Sequence, residues 1–193
     1  MLAAVLTASA ILGVLERAGA TRPLEDTITS VIPTPRGWVL TALIVASLAA
    51  DAVVVWPALL ACIAYAAVRG GKVLEGPGTL AAALAIAEVL AASFKLLFAI
   101  PRPEGGVHGF ILSYSYPSGH VSRFSVITFW ASRRFGRASV AVWVVLACVA
   151  ASRVLLRAHY VVDVVGGFLM GFSAITALEL LRGVLSGRPT GSC

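Results

Sequence analysis

Six apolar runs, separated from one another by short stretches of Arg, Lys, Pro and Gly, leave this chain few folds to choose from. They lie at residues 1–15, 38–68, 79–100, 118–132, 138–156 and 160–181. A helix needs about 20 such residues to cross a bilayer, and in hydrocarbon only a helix or a closed barrel pairs all its backbone groups. A hydrophobic share of 59%, only 12% charged residues and a mean hydropathy of +0.94 lie outside the soluble range. The expected fold class is all-α: a polytopic membrane helical bundle of about six transmembrane helices. It forms one integral membrane domain over 1–193, with its polar motifs in 79–184.

The first run is short, and Ala18-Gly19-Ala20 after it resembles a signal-peptidase site. No positive segment precedes the run, so a first span is expected. Residues 21–36 are polar with three prolines and read as an extramembrane connection. The 38–68 run is longer than one span requires and is interrupted by Asp51 and Pro57; a kinked helix, or an interfacial segment followed by a span, both fit. Gly167 and Gly171 are four apart in the last run, a spacing that permits close helix packing. Counting 38–68 as one crossing, the short basic loops Arg69-Gly-Gly-Lys72 and Arg133-Arg-Phe-Gly-Arg137 share a face with both termini. The positive-inside tendency marks that face as cytoplasmic.

A net charge of +6 in a soluble chain would point to nucleic acid, but the cations flank apolar runs and form no basic stretch with interleaved aromatics, so nucleic acid is no partner. Cys62, Cys148 and Cys193 have no CxxC spacing and read as small core residues, neither disulfides nor metal ligands.

Ionisable side chains inside spans are costly and default to function. Lys95 and Arg153 each lie roughly 9 Å or less below the end of their helix at 1.5 Å per residue. His120 opens the fourth run and Asp163 lies one turn into the sixth, so all reach one depth near the extracytoplasmic face. A helix starting at Ser118 aims free N–H groups at an anion. His159 and Asp163, four apart, share a helical face, where the carboxylate holds the imidazole as a nucleophile or base. With Lys95, Arg102 and Arg153 nearby, the electrophile is an anion, and phosphorus chemistry is the economical choice.

Lys95-x6-Arg102-Pro103, Pro117-Ser118-Gly119-His120 and Ser152-Arg153-x5-His159-x3-Asp163 resemble the three signature motifs of the type-2 phosphatidic acid phosphatase superfamily. These are membrane lipid phosphate phosphatases related to the vanadium haloperoxidases; the six apolar runs exclude a soluble haloperoxidase. The resemblance implies that His159 attacks phosphorus to give a phosphohistidine, oriented by Asp163, and that His120 protonates the leaving lipid oxygen. It assigns Lys95, Arg102, Ser118, Gly119 and Arg153 to the phosphoryl oxygens. It implies no cofactor, and the three histidines form no metal-binding pattern.

Arg123 and Arg157 go beyond the motifs. They fit headgroup contacts, or a cationic extension towards a second phosphate with Arg123 as the possible contact. The second option makes an isoprenoid diphosphate, dolichyl or undecaprenyl, the first expected substrate. Phosphatidate or phosphatidylglycerophosphate is the alternative, as is a lipid phosphotransferase; a binding or transport protein with a relict site is a third class. The partners expected are thus a lipid phosphate and membrane lipids, for an integral protein of the cell membrane. Lys95 and Arg153 taken singly also fit snorkelling, and His120 a cap. His108 reads as a loop residue, Glu88 as a structural polar contact, Asp51 as a helix break or bundle-interior residue, and Tyr114 and Tyr116 as an interfacial belt.

Overall fold

The computed structural model describes residues 1–73, 75–104 and 114–186, and among these residues it contains helices and no strand. The helices are α1 (Leu2–Arg17), α2 (Arg22–Val31), α3 (Gly37–Leu48), α4 (Ala52–Val68), α5 (Pro77–Phe98), α6 (Gly119–Phe135), α7 (Val140–Leu155) and α8 (Val161–Leu185). Three stretches, Pro77–Phe98, Gly119–Leu155 and Val161–Leu185, are long and apolar enough to cross a membrane. The α1–α2 and α3–α4 pairs qualify together, bent by 78° and 44°. The 37-residue stretch doubles back at Gly136, whose φ of +53° a side chain would resist. Its two arms then pack antiparallel: the Phe129 and Trp143 rings meet at 5.5 Å, and Trp143 Nε1 donates to Ser132 Oγ at 2.9 Å. With each bent pair counted as one span, the described residues hold up to five candidate membrane spans.

Helices in lipid gain little from burying apolar surface, so close backbone approach and polar contacts hold them together. The interior follows that rule: Ser9, Ser122, Ser125, Thr128 and Ser173 are buried, while Val89, Leu97, Val144 and Val165 are exposed on the outside. Helix α8 is the central one, with 61% of its apolar window buried against 28% for each of the other two long stretches. Its glycines lie on the beginning of α6. A Cβ at Gly167 would stand 2.5 Å from the Ser118 carbonyl oxygen, and one at Gly171 2.6 Å from that of Ser122. At the adjacent position, a Cβ at Gly166 would strike the Tyr116 ring at 2.4 Å.

Several expectations change. The 21–36 connection contains α2, because Pro23 lies in its first turn, where a proline removes no helical hydrogen bond. The 38–68 run breaks at residues 49–51, not at Pro57, which lies inside α4; Asp51 caps α4 by accepting from the Val53 N–H at 3.0 Å. Tyr116 is no belt residue: it is fully buried, and its hydroxyl donates to the Ser9 carbonyl at 2.6 Å. Cys62 and Cys148 are free thiols on the exposed surface, not core residues. His108 and Cys193 lie outside the described residues.

Replacing Gly171 with valine places methyl groups against the α6 backbone, which cannot move without shifting the start of that helix. The expected loss is about 1–3 kcal/mol, the usual range for overpacking. A lower Tm in detergent checks it, with no change expected for Val165→Leu on the exposed face.

Candidate active site

Four chain segments end at one place. Helix α5 stops at Ala99, which takes left-handed φ of +47° and donates its N–H to the Lys95 carbonyl, before Pro101 prevents continuation. The Lys95 ammonium donates to the Tyr114 carbonyl at 2.7 Å and to that of Ser115 at 3.2 Å, which fixes the strand of chain leading into α6. Helix α6 begins at Gly119, and the preceding Ser118 N–H donates to the Asp163 carbonyl at 2.9 Å. After α7 the chain turns sharply, with Arg157 at φ +52° and the N–H groups of Ala158 and His159 both donating to the Arg153 carbonyl. That turn delivers His159 to the centre.

His159 is almost fully buried, and Asp163 fully. The Asp163 Oδ2 accepts from the Tyr160 N–H at 2.8 Å, capping α8, and lies 3.2 Å from His159 Nδ1. On the other side of the ring, Arg102 Nη1 is 3.2 Å from His159 Nε2, and the same nitrogen donates to the Ala158 carbonyl at 2.8 Å. A guanidinium only donates, so Nε2 carries the lone pair and Nδ1 carries the proton that Asp163 accepts. Burial, followed by the charges of Arg102, Lys95, Arg153 and His120, holds the His159 pKa well below its ordinary value. The ring is therefore neutral near pH 7, with its Nε2 lone pair engaged by the Arg102 guanidinium.

Among the buried polar atoms that have no hydrogen-bond partner within the described residues are Ser118 Oγ, Arg102 Nε and Arg153 Nε. Buried donors left unpaired are costly, and those of a hydroxyl and two guanidiniums suit the oxygens of a tetrahedral anion. The first N–H groups of α6 have no helical acceptor either. Lys95, Arg102, Ser118, Gly119, Arg153, His159 and Asp163, together with His120 at the first turn of α6, thus converge as the sequence spacing predicts. The arrangement can hold a phosphoryl group and offer it a nitrogen lone pair.

Other charges have different partners from those expected. Arg123 is buried; its Nε donates to Glu88 and its Nη1 to the Ala50 carbonyl. Glu88 accordingly pairs with α6 and not with Lys95. Arg157 donates through Nη2 to the carbonyls of Thr29 and Ile32 at 3.3 and 3.2 Å, so it ties down the end of α2. Both arginines that spacing left open towards a second phosphate or a headgroup therefore have protein acceptors.

The sequence reading also missed residues. Glu25 of α2 is buried, and its two carboxylate oxygens accept from the N–H groups of Val161 and Val162, each at 3.0 Å, at the start of α8. Asp51 Oδ2 lies 3.4 Å from His120 Nε2, and Ser47 Oγ accepts from Arg153 Nη1 at 2.5 Å. The available signal was charge itself, since Asp51 is the one acidic residue in the 38–68 run.

Arg157 adopts a left-handed conformation that disfavours any side chain by about 1–2 kcal/mol, while its guanidinium holds α2. Arg157→Ala loses the clasp and keeps the strain; Arg157→Gly loses only the clasp. The glycine variant should therefore melt above the alanine variant, as differential scanning fluorimetry would show.

The chain resembles known proteins in both sequence and fold. Its fold matches the crystal structure of the first transmembrane PAP2-type phosphatidylglycerolphosphate phosphatase from Bacillus subtilis with a TM-score of 0.80. That match has 18% identity and covers 95% of this chain and 96% of that one. LpxE of Aquifex aeolicus matches with a TM-score of 0.63 at 20% identity, over 81% of this chain and 93% of that one. A sequence model of the PAP2 superfamily matches residues 76–183, a segment that carries the lysine, arginine, serine, histidine and aspartate groups assembled at the site. Since that segment is more than half of the protein, the chain belongs to the PAP2 superfamily.

Proposed function

We propose that this membrane protein is a lipid phosphatase that hydrolyses the phosphate monoester of a membrane lipid through a phosphohistidine. The observation that carries the reading is the His159 lone pair at Nε2, fixed by Asp163 on one side and facing the Arg102 guanidinium on the other. Lys95, Arg102 and Arg153, with the Ser118 hydroxyl and the Gly119 N–H, bind the phosphoryl oxygens and bring phosphorus to Nε2. An N–P bond forms as the P–O bond to the lipid breaks; the bonding pair stays on the lipid oxygen, which takes a proton from His120. Water then attacks phosphorus as the N–P bond breaks, its proton passes to His120, and inorganic phosphate leaves. Positioned cations supply most of the stabilisation in such transfers.

The basic loops around Arg69 and Arg133 lie at the opposite ends of the helices from the site, which supports an extracytoplasmic site in a cell membrane. The isoprenoid diphosphate reading relied on Arg123 and Arg157 being open to substrate. With both held by protein acceptors, the site has cations for one phosphoryl group, and a glycerolipid monophosphate fits it better. The Bacillus subtilis protein of similar fold is a phosphatidylglycerolphosphate phosphatase, which supports the same choice.

Phosphate release from phosphatidate, phosphatidylglycerophosphate and an isoprenoid diphosphate in detergent micelles tests both parts. His159→Ala should lower turnover by roughly four orders of magnitude or more, as loss of a nucleophile does; activity persisting in that variant would overturn the mechanism. Arg123→Ala should lower monophosphate and diphosphate turnover alike, because it acts through the Glu88 and Ala50 contacts. A loss confined to the diphosphate would restore the isoprenoid reading.

A further inference from the structure

We propose that Asp51, from the break between α3 and α4 and outside the segment matched by the family, is a positioning residue for His120. The inference rests on the phosphatase reading above. Asp51 divides its two oxygens between two tasks. Oδ1 accepts from the Val53 N–H at 3.0 Å and caps α4; Oδ2 lies 3.4 Å from His120 Nε2. The contact therefore joins the α3–α4 corner to the first turn of α6. Neither end is loose: the corner is held by Arg123 Nη1 on the Ala50 carbonyl and by Arg153 Nη1 on Ser47 Oγ.

The chemistry asks two things of His120. It must present a proton to the lipid oxygen, and it must carry a positive charge when it does so, because an alkoxide is too basic to leave unprotonated at a useful rate. The titratable groups facing it are Arg123 on its own helix, Arg153 on α7, the neutral His159 beyond α7 and Asp51 at the α3–α4 corner. Asp51 is the one anion in that set. With the carboxylate at Nε2, the imidazolium donates Nε2–H to Asp51 and keeps Nδ1–H for the substrate. The proton then moves from Nδ1 to the leaving oxygen as the P–O bond breaks, and the neutral ring left behind accepts a proton from the attacking water in the second step.

This division of labour mirrors the other histidine. At His159, a carboxylate holds Nδ1 and the lone pair at Nε2 faces phosphorus; at His120, a carboxylate holds Nε2 and the proton at Nδ1 faces the lipid oxygen. The two rings face the same phosphoryl group from opposite tautomeric sides. A carboxylate on each ring therefore gives one site a base-like and an acid-like histidine.

Asp51→Asn separates this role from capping, since asparagine caps helices as well as aspartate does. Its amide nitrogen meets His120 as a donor and removes the counter-charge of the imidazolium. Two phosphate monoesters of matched chain length provide the readout: dodecyl phosphate, whose alkoxide needs a proton to leave, and a dodecyl-substituted nitrophenyl phosphate, whose phenolate leaves without one. In Asp51→Asn, turnover of the alkyl ester should fall about 100-fold further than the nitrophenolate burst, the lower end of what general acid catalysis contributes. In a His120→Ala background the same substitution should add nothing, since Asp51 acts through the ring. Equal losses on both esters, or an additive loss in the double variant, would overturn the assignment and leave the phosphatase reading standing. A wild-type protein that hydrolyses neither ester would overturn both.

Discussion

A single buried carboxylate ties the site together. Asp163 has no exposed surface, and all parts of it are in use: Oδ2 meets the Tyr160 N–H and His159 Nδ1, Oδ1 lies 3.3 Å from Ser115 Oγ, and its carbonyl accepts from the Ser118 N–H. One residue thereby fixes the start of α8, the orientation of the histidine, and the chain that enters α6. An unpaired charge at this depth would be prohibitive, so these contacts must form together or not at all. The glycines of α8 make that possible, since only a bare backbone at Gly166 and Gly167 lets Tyr116 and Ser118 come within reach.

A second layer holds the first, and it comes largely from the N-terminal helices. Glu25 caps the two N–H groups that follow His159 and Tyr160, while Arg157 returns the contact to the end of α2. The helix dipole explains why an acidic side chain suits the start of α8 and a basic one the end of α2. On the opposite side, Ser47 and Ala50 receive one donor each from Arg153 and Arg123. The family match begins at residue 76, yet the groups that aim its arginines lie before that point. Residues 76–183 therefore supply the grouped basic and histidine side chains, and residues before 76 supply acceptors for Arg123, Arg153 and Arg157.

This two-layer arrangement also explains what the sequence made legible. The His159–Asp163 pair could be read from a spacing of four, although α8 begins only at Val161 and His159 lies before it: the Asp163 carboxylate reaches back past the Tyr160 N–H to the ring. The membrane helices follow from apolar length, and the convergence of Lys95, Arg102 and Arg153 from their depth. Asp51 with His120, Glu25 with α8 and Tyr116 with Ser9 join residues 69, 136 and 107 positions apart in sequence, as set by how helices cross. No local period carries such a contact. Arg123 and Arg157 were open for a further reason: an arginine near a helix end has the same spacing whether its guanidinium reaches a headgroup, a phosphate or a carbonyl. Only the presence of Glu88, Ala50, Thr29 and Ile32 at the other end decides between them.

The internal use of those arginines shifts where substrate selection must lie. On the proposed reading, cations that serve one phosphoryl group recognise what all lipid phosphates share, so the phosphate itself discriminates poorly between them. Discrimination then falls to groups beyond the transferred phosphorus, where a lipid differs from its competitors in tail and headgroup. Next to His120 in sequence, Val121 and Phe124 of α6 pack with Leu146 and Val149 of α7 in a buried apolar cluster. Apolar contacts of this kind separate similar ligands by only about 1–3 kcal/mol per missing methylene-sized group. Chemistry that is demanding at phosphorus and permissive at the chain is therefore what this architecture favours: a buried centre with a few unpaired donors, surrounded by helices with apolar outer faces.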